Sequence, residues 1–164
     1  MSSENVGPRY IPSVTGLLSR LSYVPRWVIV PMARPQTVSD HVYRCLVMAR
    51  SFADTFGLEA EFELELFRYI LIHEQDEALT GDIPSTAKGS RSEDGGALVN
   101  IARYIDTLEA LSWFRKHHGP IGDRWIDINQ SMINKLAKDG DRLAVHYDKH
   151  RLLRWGNDIL EAME

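Results

Sequence analysis

Apolar residues recur every three or four positions along most of this chain, which is the spacing of α-helices rather than of strands. The clearest case begins at Ser39, where Val42 and Leu46 start an apolar face. It ends before Gly57, a residue suited to the left-handed backbone that closes many helices. The pattern therefore predicts a helix from Ser39 to Phe56 with one buried stripe.

The same periodicity predicts several further helices. They cover residues 14–21, 97–118, 123–137 and 142–162, together with a stretch that starts after Leu58 and carries apolar residues up to His73. The sequence KDGD, residues 138–141, predicts a break between the last two. Residues 25–35 contain three prolines, which forbid a long helix and favour an extended, looping path. Since no segment alternates convincingly as a strand would, the predicted fold is all-α, one bundle of about five to seven helices.

Length and composition indicate one soluble domain. A chain of 164 residues can bury one hydrophobic core but is short for two. Residues 1–12 are rich in turn-forming residues and predict a flexible N-terminal tail, which leaves 13–164 as the domain. The formal net charge of −4 argues against nucleic-acid binding, and no apolar run reaches the roughly 20 residues of a membrane span. A single cysteine, Cys45, and the lack of a signal peptide predict a cytoplasmic location.

The segment LIHEQDEALTGDIP, residues 71–84, concentrates groups that bind metal ions. If the helix continues through His73, then His73 and Glu77 share a face, and Glu74 can reach the same ion from the helix end. His41 and Asp106 belong to other predicted helices. Asp106 has apolar neighbours that turn it toward the core, where a carboxylate requires a partner or a cation. Two imidazoles and two carboxylates would form a mixed nitrogen and oxygen site suited to Zn, Mn, Fe, Co or Ni.

Other interpretations of the same residues are possible. HEQDE begins like the H-E-x-x-H motif of zinc proteases, but Glu77 stands where the second histidine is needed. Taken singly, His41 can be explained as a residue at the start of a helix, and His73 as a cation at the end of a helix, where the helix dipole favours positive charge. The acidic residues Glu74, Asp76 and Glu77 would then form a solvated face. The order and spacing of the whole set favour the metal site. Glu109, one turn after Asp106, is either a partner that orients this site or a loop restraint.

The sequence also resembles a known family. LSRL, PRW and TVSDH, followed by LIHEQDEALTGDIPSTAK, are similar to segments of the HD-domain phosphohydrolases, especially the branch of bacterial 5′-deoxynucleotidases and short viral deoxynucleoside-triphosphate hydrolases. The resemblance extends over about residues 17–114. The family is all-helical and holds a metal with four ligands in the order H…HD…D. The resemblance implies that these ligands are His41, His73, Glu74 and Asp106.

The resemblance also implies roles in catalysis and substrate binding. Glu77 takes the position of the family's catalytic carboxylate, which orients or deprotonates the attacking water, and Asp82 is a second catalytic candidate. Arg26 and Trp27 match an element that contacts the substrate. Three further candidates for the substrate site are Ile29 as an apolar wall and Arg34 and Lys88 as phosphate-binding cations. The competing interpretations are core packing for Ile29 and a solvated loop position for Lys88.

One residue departs from the family pattern. Glu74 stands where the family has its signature aspartate, and the additional methylene shifts the carboxylate in a site sensitive to geometry. The favoured hypothesis is an active enzyme that hydrolyses deoxynucleotides. A dNTP cleaved to deoxynucleoside and triphosphate is slightly preferred to a 5′-dNMP cleaved to deoxynucleoside and phosphate. The alternative is a degenerate HD domain that binds nucleotide or a protein partner without turnover.

The resemblance implies one divalent transition metal as cofactor, either Zn, Co or Mn, or Mg with a triphosphate substrate. The expected partner is a small-molecule nucleotide, with neither nucleic acid nor membrane. Relatives form dimers and hexamers, which predicts a homo-oligomer. The implied location is the bacterial cytoplasm, or the host cytoplasm for a viral protein.

Overall fold

The computed structural model describes residue 16 and residues 18–75, 77–81, 96–119 and 123–163. Within these ranges the secondary structure is helical with no strand, as the periodicity predicts. A short 3₁₀ turn at Leu21–Tyr23 precedes six α-helices: α1 Val38–Phe56, α2 Ala60–Ile72, α3 Glu77–Thr80, α4 Gly96–His117, α5 Asp123–Leu143 and α6 Lys149–Met163. The predicted tail, 1–12, lies outside the described residues. Among the described helices, none has the length and apolarity needed to cross a membrane.

Local sequence determines both ends of α1. Thr37 caps the helix: its side chain accepts a hydrogen bond from the Asp40 backbone N–H at 3.1 Å, and the Asp40 carboxylate accepts from the Thr37 backbone N–H at 3.0 Å. This reciprocal pair satisfies amide groups that the first turn of a helix leaves open. At the other end Gly57 adopts a left-handed φ of +67°, as predicted. The N-terminal cap fixes the helical turn that carries His41.

Helix α4 lies at the centre of the bundle and packs against α1, α2, α5 and α6. Its buried residues meet the buried stripe of α1 and two residues of α2. The largest fully buried side chains include Met48, Phe52, Leu66, Ile70, Ile101, Ile105, Leu108 and Leu111. Because α4 is enclosed on several sides, polar groups that point into the core from it require partners.

Helix α5 continues through the predicted break at 138–141, so that prediction is wrong. The Asp139 side chain is buried, accepts from the Thr107 hydroxyl at 3.0 Å and from Arg142 at 3.1 Å, and so is satisfied within the bundle. Gly140 faces the ring of Tyr104, where a Cβ atom would lie 3.4 Å from Cε2. Tertiary packing against α4 therefore outweighs the low helix propensity of glycine and aspartate.

Residues 24–37 form a loop, here called the proline loop, that is tied to the bundle at two places. Its ends pair with each other, since the Arg26 N–H donates to the Gln36 carbonyl at 2.8 Å. Its middle pairs with the residues after α4, since the Gly119 N–H donates to the Pro31 carbonyl at 2.9 Å. This agrees with the extended, looping path that the prolines predict. The loop therefore lies against the C-terminal end of α4.

Two glycines that face the same tyrosine give a matched test of this packing. A Cβ atom on Gly156 would lie 2.6 Å from the Tyr104 hydroxyl oxygen, and Tyr104 is buried. We expect Gly156→Ala to lower the free energy of unfolding by about 1–3 kcal/mol through overpacking. Gly140→Ala fits at ordinary contact distance and should raise it by about 0.5–1 kcal/mol. Urea denaturation of both variants measures this, and equal stabilities would contradict the packing described.

Candidate metal and active site

Four predicted ligands from distant parts of the chain meet in one cluster, here called the His-acid cluster: His41, His73, Glu74 and Asp106. His41 lies in the first turn of α1, His73 and Glu74 follow α2 directly, and Asp106 lies in the middle of α4. One nitrogen or oxygen atom from each side chain lies within 4.8 Å of those of the other three. His41 Nε2 is 3.1 Å from Asp106 Oδ1, and His73 Nε2 is 3.0 Å from Glu74 Oε1.

Both imidazole rings are oriented by a second acceptor on Nδ1. His73 Nδ1 lies 2.8 Å from the Ile70 carbonyl oxygen, and His41 Nδ1 lies 2.5 Å from Glu109 Oε2. In the neutral ring, a proton on Nδ1 would make each of these contacts a hydrogen bond and leave the Nε2 lone pair directed toward the cluster, as metal binding requires. This arrangement is typical of metal-binding histidines, where the outer acceptor fixes the tautomer.

Glu109 is the buried centre of the polar network behind the cluster. Its side chain is fully buried, and four side chains contact its two oxygens at hydrogen-bond distance: Arg44 Nε at 2.7 Å, Gln36 Nε2 at 2.8 Å, Arg26 Nη1 at 3.2 Å and His41 Nδ1 at 2.5 Å. Burial would raise the pKa of Glu109, but the charges of His41, Arg26 and Arg44 outweigh it and lower the pKa. Of the two sequence-based interpretations of Glu109, the structure favours the partner that orients the site.

The electrostatics of the His-acid cluster favour a charged His41. Burial lowers the pKa of this imidazole, but contacts with Glu109 and Asp106 help to raise it well above its usual value. Burial likewise opposes ionisation of Asp106, yet hydrogen bonding to His41 and the charge of Lys135 hold its pKa well below the usual range. The protonated His41 thus balances the negative charges of Asp106 and Glu109, a role that a metal ion at this place would also fulfil.

Glu77 lies in the turn after the cluster rather than on a continuous helix. Helix α2 ends at Ile72, and the next residues form a turn in which the Gln75 N–H donates to the Ile72 carbonyl at 3.1 Å. Glu77 then opens α3, with its N–H 3.0 Å from the Glu74 carbonyl, and its side chain is buried. The condition of an unbroken helix through His73 is therefore not met, because the chain turns at the cluster.

The predicted substrate residues Arg26 and Trp27 lie beside the Glu109 network. The Trp27 indole N–H donates to the Gln36 side-chain carbonyl at 2.9 Å, and its ring centroid is 5.9 Å from that of Phe114. Trp27 has a φ of +64°, which is unusual for a bulky residue and costs conformational energy. Neighbouring contacts hold the dipeptide in this strained position.

The remaining predicted site residues are placed differently. Ile29 is 59% exposed, so the interpretation of core packing is wrong. Arg34 is exposed and lines a pocket that includes no residue of the His-acid cluster. Asp82 and Lys88 lie outside the described residues, and their assigned roles remain predictions.

Lys135 is a cation near the cluster that sequence reasoning missed. Its Nζ atom lies 3.8 Å from Asp106 Oδ2. The Asp106 side chain is 30% exposed, against 10% or less for the other three cluster side chains. Solvent therefore reaches the cluster beside Lys135. No sequence signal marks this lysine, since on an amphipathic helix it is indistinguishable from a solvated one.

Comparison with known proteins assigns the chain to a family. A sequence model of the HD domain matches residues 18–108, which is more than half of the chain. This chain belongs to the HD-domain family. Among solved structures, the Cyanophage S-2L HD phosphohydrolase bound to dA and one catalytic Zn2+ ion superposes with a TM-score of 0.75 at 18% identity, covering 90% of this chain and 96% of the other. The predicted HD-type helical bundle is confirmed.

Two curated relatives of this HD domain carry names that describe an activity. A dATP triphosphohydrolase of Salmonella phage PMBT28 is 30% identical, with 61% of this chain and 65% of the relative covered. A 5′-deoxynucleotidase of Danio rerio is 32% identical, with 82% of this chain and 65% of the relative covered. The HD domain described here thus spans slightly less than two thirds of the length of each.

Proposed function

We propose that this HD domain is a metal-dependent phosphohydrolase that acts on deoxynucleotides. The observation that carries the proposal is the convergence of two imidazole nitrogens and two carboxylate oxygens within 4.8 Å in the His-acid cluster. Relatives named for hydrolysis of dATP and of deoxynucleotides support the substrate class. We likewise propose a cytoplasmic homo-oligomer, as the resemblance implies.

The donor set fits a divalent transition metal. Zn–N and Zn–O bonds are about 2.0–2.2 Å, so two ligands of one ion can lie up to about 4.4 Å apart, close to the spread of this cluster. Two carboxylates supply negative charge, and both imidazoles direct Nε2 inward. Mixed imidazole and carboxylate donors suit Zn, Co or Mn better than a thiolate-selective ion. We therefore assign His41, His73, Glu74 and Asp106 as the ligands.

The remaining groups supply the chemistry around the ion. A divalent metal at this site would polarise a phosphate oxygen and lower the pKa of a bound water. Glu77 accepts a proton from the attacking water, with Asp82 as the second candidate for this role. Negative charge on the phosphoryl oxygens is stabilised by the cations nearest the cluster, Arg26 and Lys135, and by Lys88. Trp27 offers a flat face to the base or sugar.

Metal binding should release protons. Because the pKa of His41 is raised well above its usual value in the metal-free cluster, this imidazole is charged at pH 7 and must lose a proton to become a ligand. We expect about one proton released per metal ion at pH 7, and an affinity that rises with pH. Calorimetric titration of Zn2+ in two buffers of different ionisation enthalpy measures this, and identical heats would contradict it.

Product analysis tests the activity itself. Protein loaded separately with Mn, Co, Zn or Mg is incubated with dNTPs and with dNMPs. We expect deoxynucleoside and triphosphate from a dNTP, with deoxynucleoside and phosphate from a dNMP as the second possibility. Release of deoxynucleoside from neither substrate with any metal, in protein that contains bound metal, would contradict the proposal.

The degenerate HD domain is the second candidate function, and Glu74 is the observation that motivates it. Its longer side chain still reaches the cluster, since Glu74 Oε1 lies 3.0 Å from His73 Nε2, which supports an active site. Glu74→Asp separates the two possibilities. Turnover by the natural protein, changed by the substitution but not created by it, supports the enzyme. Turnover that appears only in the variant would make the natural protein a binder.

A further inference from the structure

A positively charged pocket lies between the first turns of α1 and the last turns of α4. Its volume is about 240 Å³, and its wall contains three cations, Arg34, Arg44 and Lys116, together with Trp113 and His117. The single acidic residue in the wall is Asp40. No residue of the His-acid cluster lines this pocket, and the function proposed above makes no use of it.

The charge of the pocket is only partly neutralised from within, since one carboxylate, Asp40, stands against three cations. The Asp40 carboxylate is already engaged in the cap of α1, where one of its oxygens accepts from the Thr37 backbone N–H at 3.0 Å and from its hydroxyl at 2.8 Å. The pKa of His117 is lowered by burial and then by the charges of Arg34, Lys116 and Arg44. The wall therefore carries more positive than negative side chains, although the whole protein is acidic.

Arg34 and Arg44 have N–H groups that are not used in hydrogen bonds to the described residues and can donate to a ligand in the pocket. Arg34 makes no hydrogen bond or ion pair with the part of the chain that the structure describes, and its guanidinium lies 5.6 Å from the centroid of the Trp113 ring. Arg44 lies over the same ring at 5.2 Å and uses Nε and Nη2 to donate to Glu109 and Ser112, with no hydrogen bond from Nη1 to the described residues. Both guanidinium groups lie within cation–π distance of the same ring, which favours their positions beside the pocket.

A buried donor in the wall is also unsatisfied. The Nε1 atom of Trp113 is shielded from solvent and has no acceptor among the described residues, in a side chain that is 5% exposed. Lys116 is exposed and donates to the Met163 carbonyl at 3.0 Å, which leaves the rest of its ammonium group open. Guanidinium forks and an ammonium group around a small cavity are the groups that bind phosphate oxygens.

We propose that this pocket binds inorganic phosphate or a short polyphosphate, at a site separate from the His-acid cluster. The volume fits a phosphate chain better than a whole nucleotide, since pockets for drug-sized ligands begin at about 300 Å³. Nucleotide phosphates share this chemistry, but their base would remain outside, near the exposed ring of Tyr43.

Arg44 connects this pocket to the cluster. Its Nε donates to one oxygen of Glu109 at 2.7 Å, and the other oxygen of Glu109 lies 2.5 Å from His41 Nδ1. An anion that accepts a hydrogen bond from Arg44 therefore competes for this arginine with Glu109, the residue that orients His41. If binding in the pocket changes the metal affinity, linkage requires that the metal changes the anion affinity by the same factor.

The test is calorimetric titration of metal-loaded protein with inorganic tripolyphosphate, repeated with inorganic phosphate and with a non-hydrolysable analogue of dATP. Arg34→Gln and Lys116→Gln each remove one pocket cation. Their matched controls are Arg154→Gln and Lys138→Gln, which remove the same charge from exposed positions that make no hydrogen bond or ion pair with the described residues. Thermal unfolding of all four variants verifies that they fold.

We expect each pocket variant to weaken tripolyphosphate binding at one site by about 10–100-fold, the effect of losing a hydrogen bond to a charged group. The controls should bind like the wild type. Stronger binding of tripolyphosphate than of the dATP analogue at this site supports the phosphate-chain ligand, and the reverse order would replace it by a nucleotide. Equal binding by pocket variants and controls would overturn the site, whether or not the protein hydrolyses deoxynucleotides.

Discussion

Replacement of Glu77 by glutamine is expected to lower the rate of deoxynucleotide hydrolysis by about 10²–10⁴-fold. The amide keeps the size of the side chain but cannot accept a proton from the attacking water at neutral pH. The side chain is buried in the turn that follows the cluster, with its N–H bonded to the Glu74 carbonyl, so a neutral replacement should leave the backbone in place. Steady-state release of deoxynucleoside measures the effect.

Metal content is the control that gives this result its meaning. Glu77 is not one of the assigned ligands, and Glu77→Gln should bind as much metal as the wild type by elemental analysis. Glu161→Gln, at an exposed position on α6, makes the same chemical change away from the site. A Glu77→Gln protein that retains metal and most of the wild-type rate would remove Glu77 from the mechanism.

Replacement of Glu109 by alanine should cost about 3–5 kcal/mol of the free energy of unfolding, the usual cost of breaking a buried charged network. The substitution leaves the charges of Arg26 and Arg44 without their buried carboxylate and frees His41 Nδ1. Urea denaturation measures the loss. The same variant should bind the metal about 10–100-fold more weakly, because the acceptor that orients His41 is gone.

Two further variants show whether the loss of stability comes from the buried network and how much of it comes from the charge of Glu109. Glu161→Ala removes a carboxylate from the surface and should change the stability little. Glu109→Gln keeps the volume and one oxygen acceptor but removes the charge, and should fall between wild type and Glu109→Ala. Wild-type stability in Glu109→Ala would show that the network contributes no net stability.

The helical frame could be predicted because its signals are local. A helix-stopping glycine at 57 and apolar spacing within α1 lie inside a single stretch of chain and act wherever that stretch is placed. The failure at α5 has the opposite origin. Gly140 and Asp139 are unfavourable in an isolated helix, and contacts with Tyr104 and Thr107, more than thirty residues away, help to make them acceptable.

At the candidate site, too, the features with a local sequence signal could be predicted and those that depend on tertiary contacts could not. The four residues of the His-acid cluster could be predicted to lie together because histidine and carboxylate are common metal-binding groups, and the resemblance implied their order. The supporting groups were harder, since arginine, glutamine and lysine occur on every solvated surface. Arg44 and Lys135 acquire a role only when packing brings them to Glu109 and Asp106. A sequence without tertiary contacts cannot distinguish them from other surface cations.

The proline loop has a consequence for how proteins of this kind can diversify. It carries Arg26 to Glu109 at one end and Arg34 to the ring of Trp113 at the other, and backbone hydrogen bonds tie it to the bundle. Val28 and Ile29 between them are each 59% exposed. Mutations in this stretch can therefore accumulate at little cost to folding. Substitutions in one short loop are therefore expected to affect the proposed substrate site and the proposed anion site together, while the helices that carry the His-acid cluster stay unchanged.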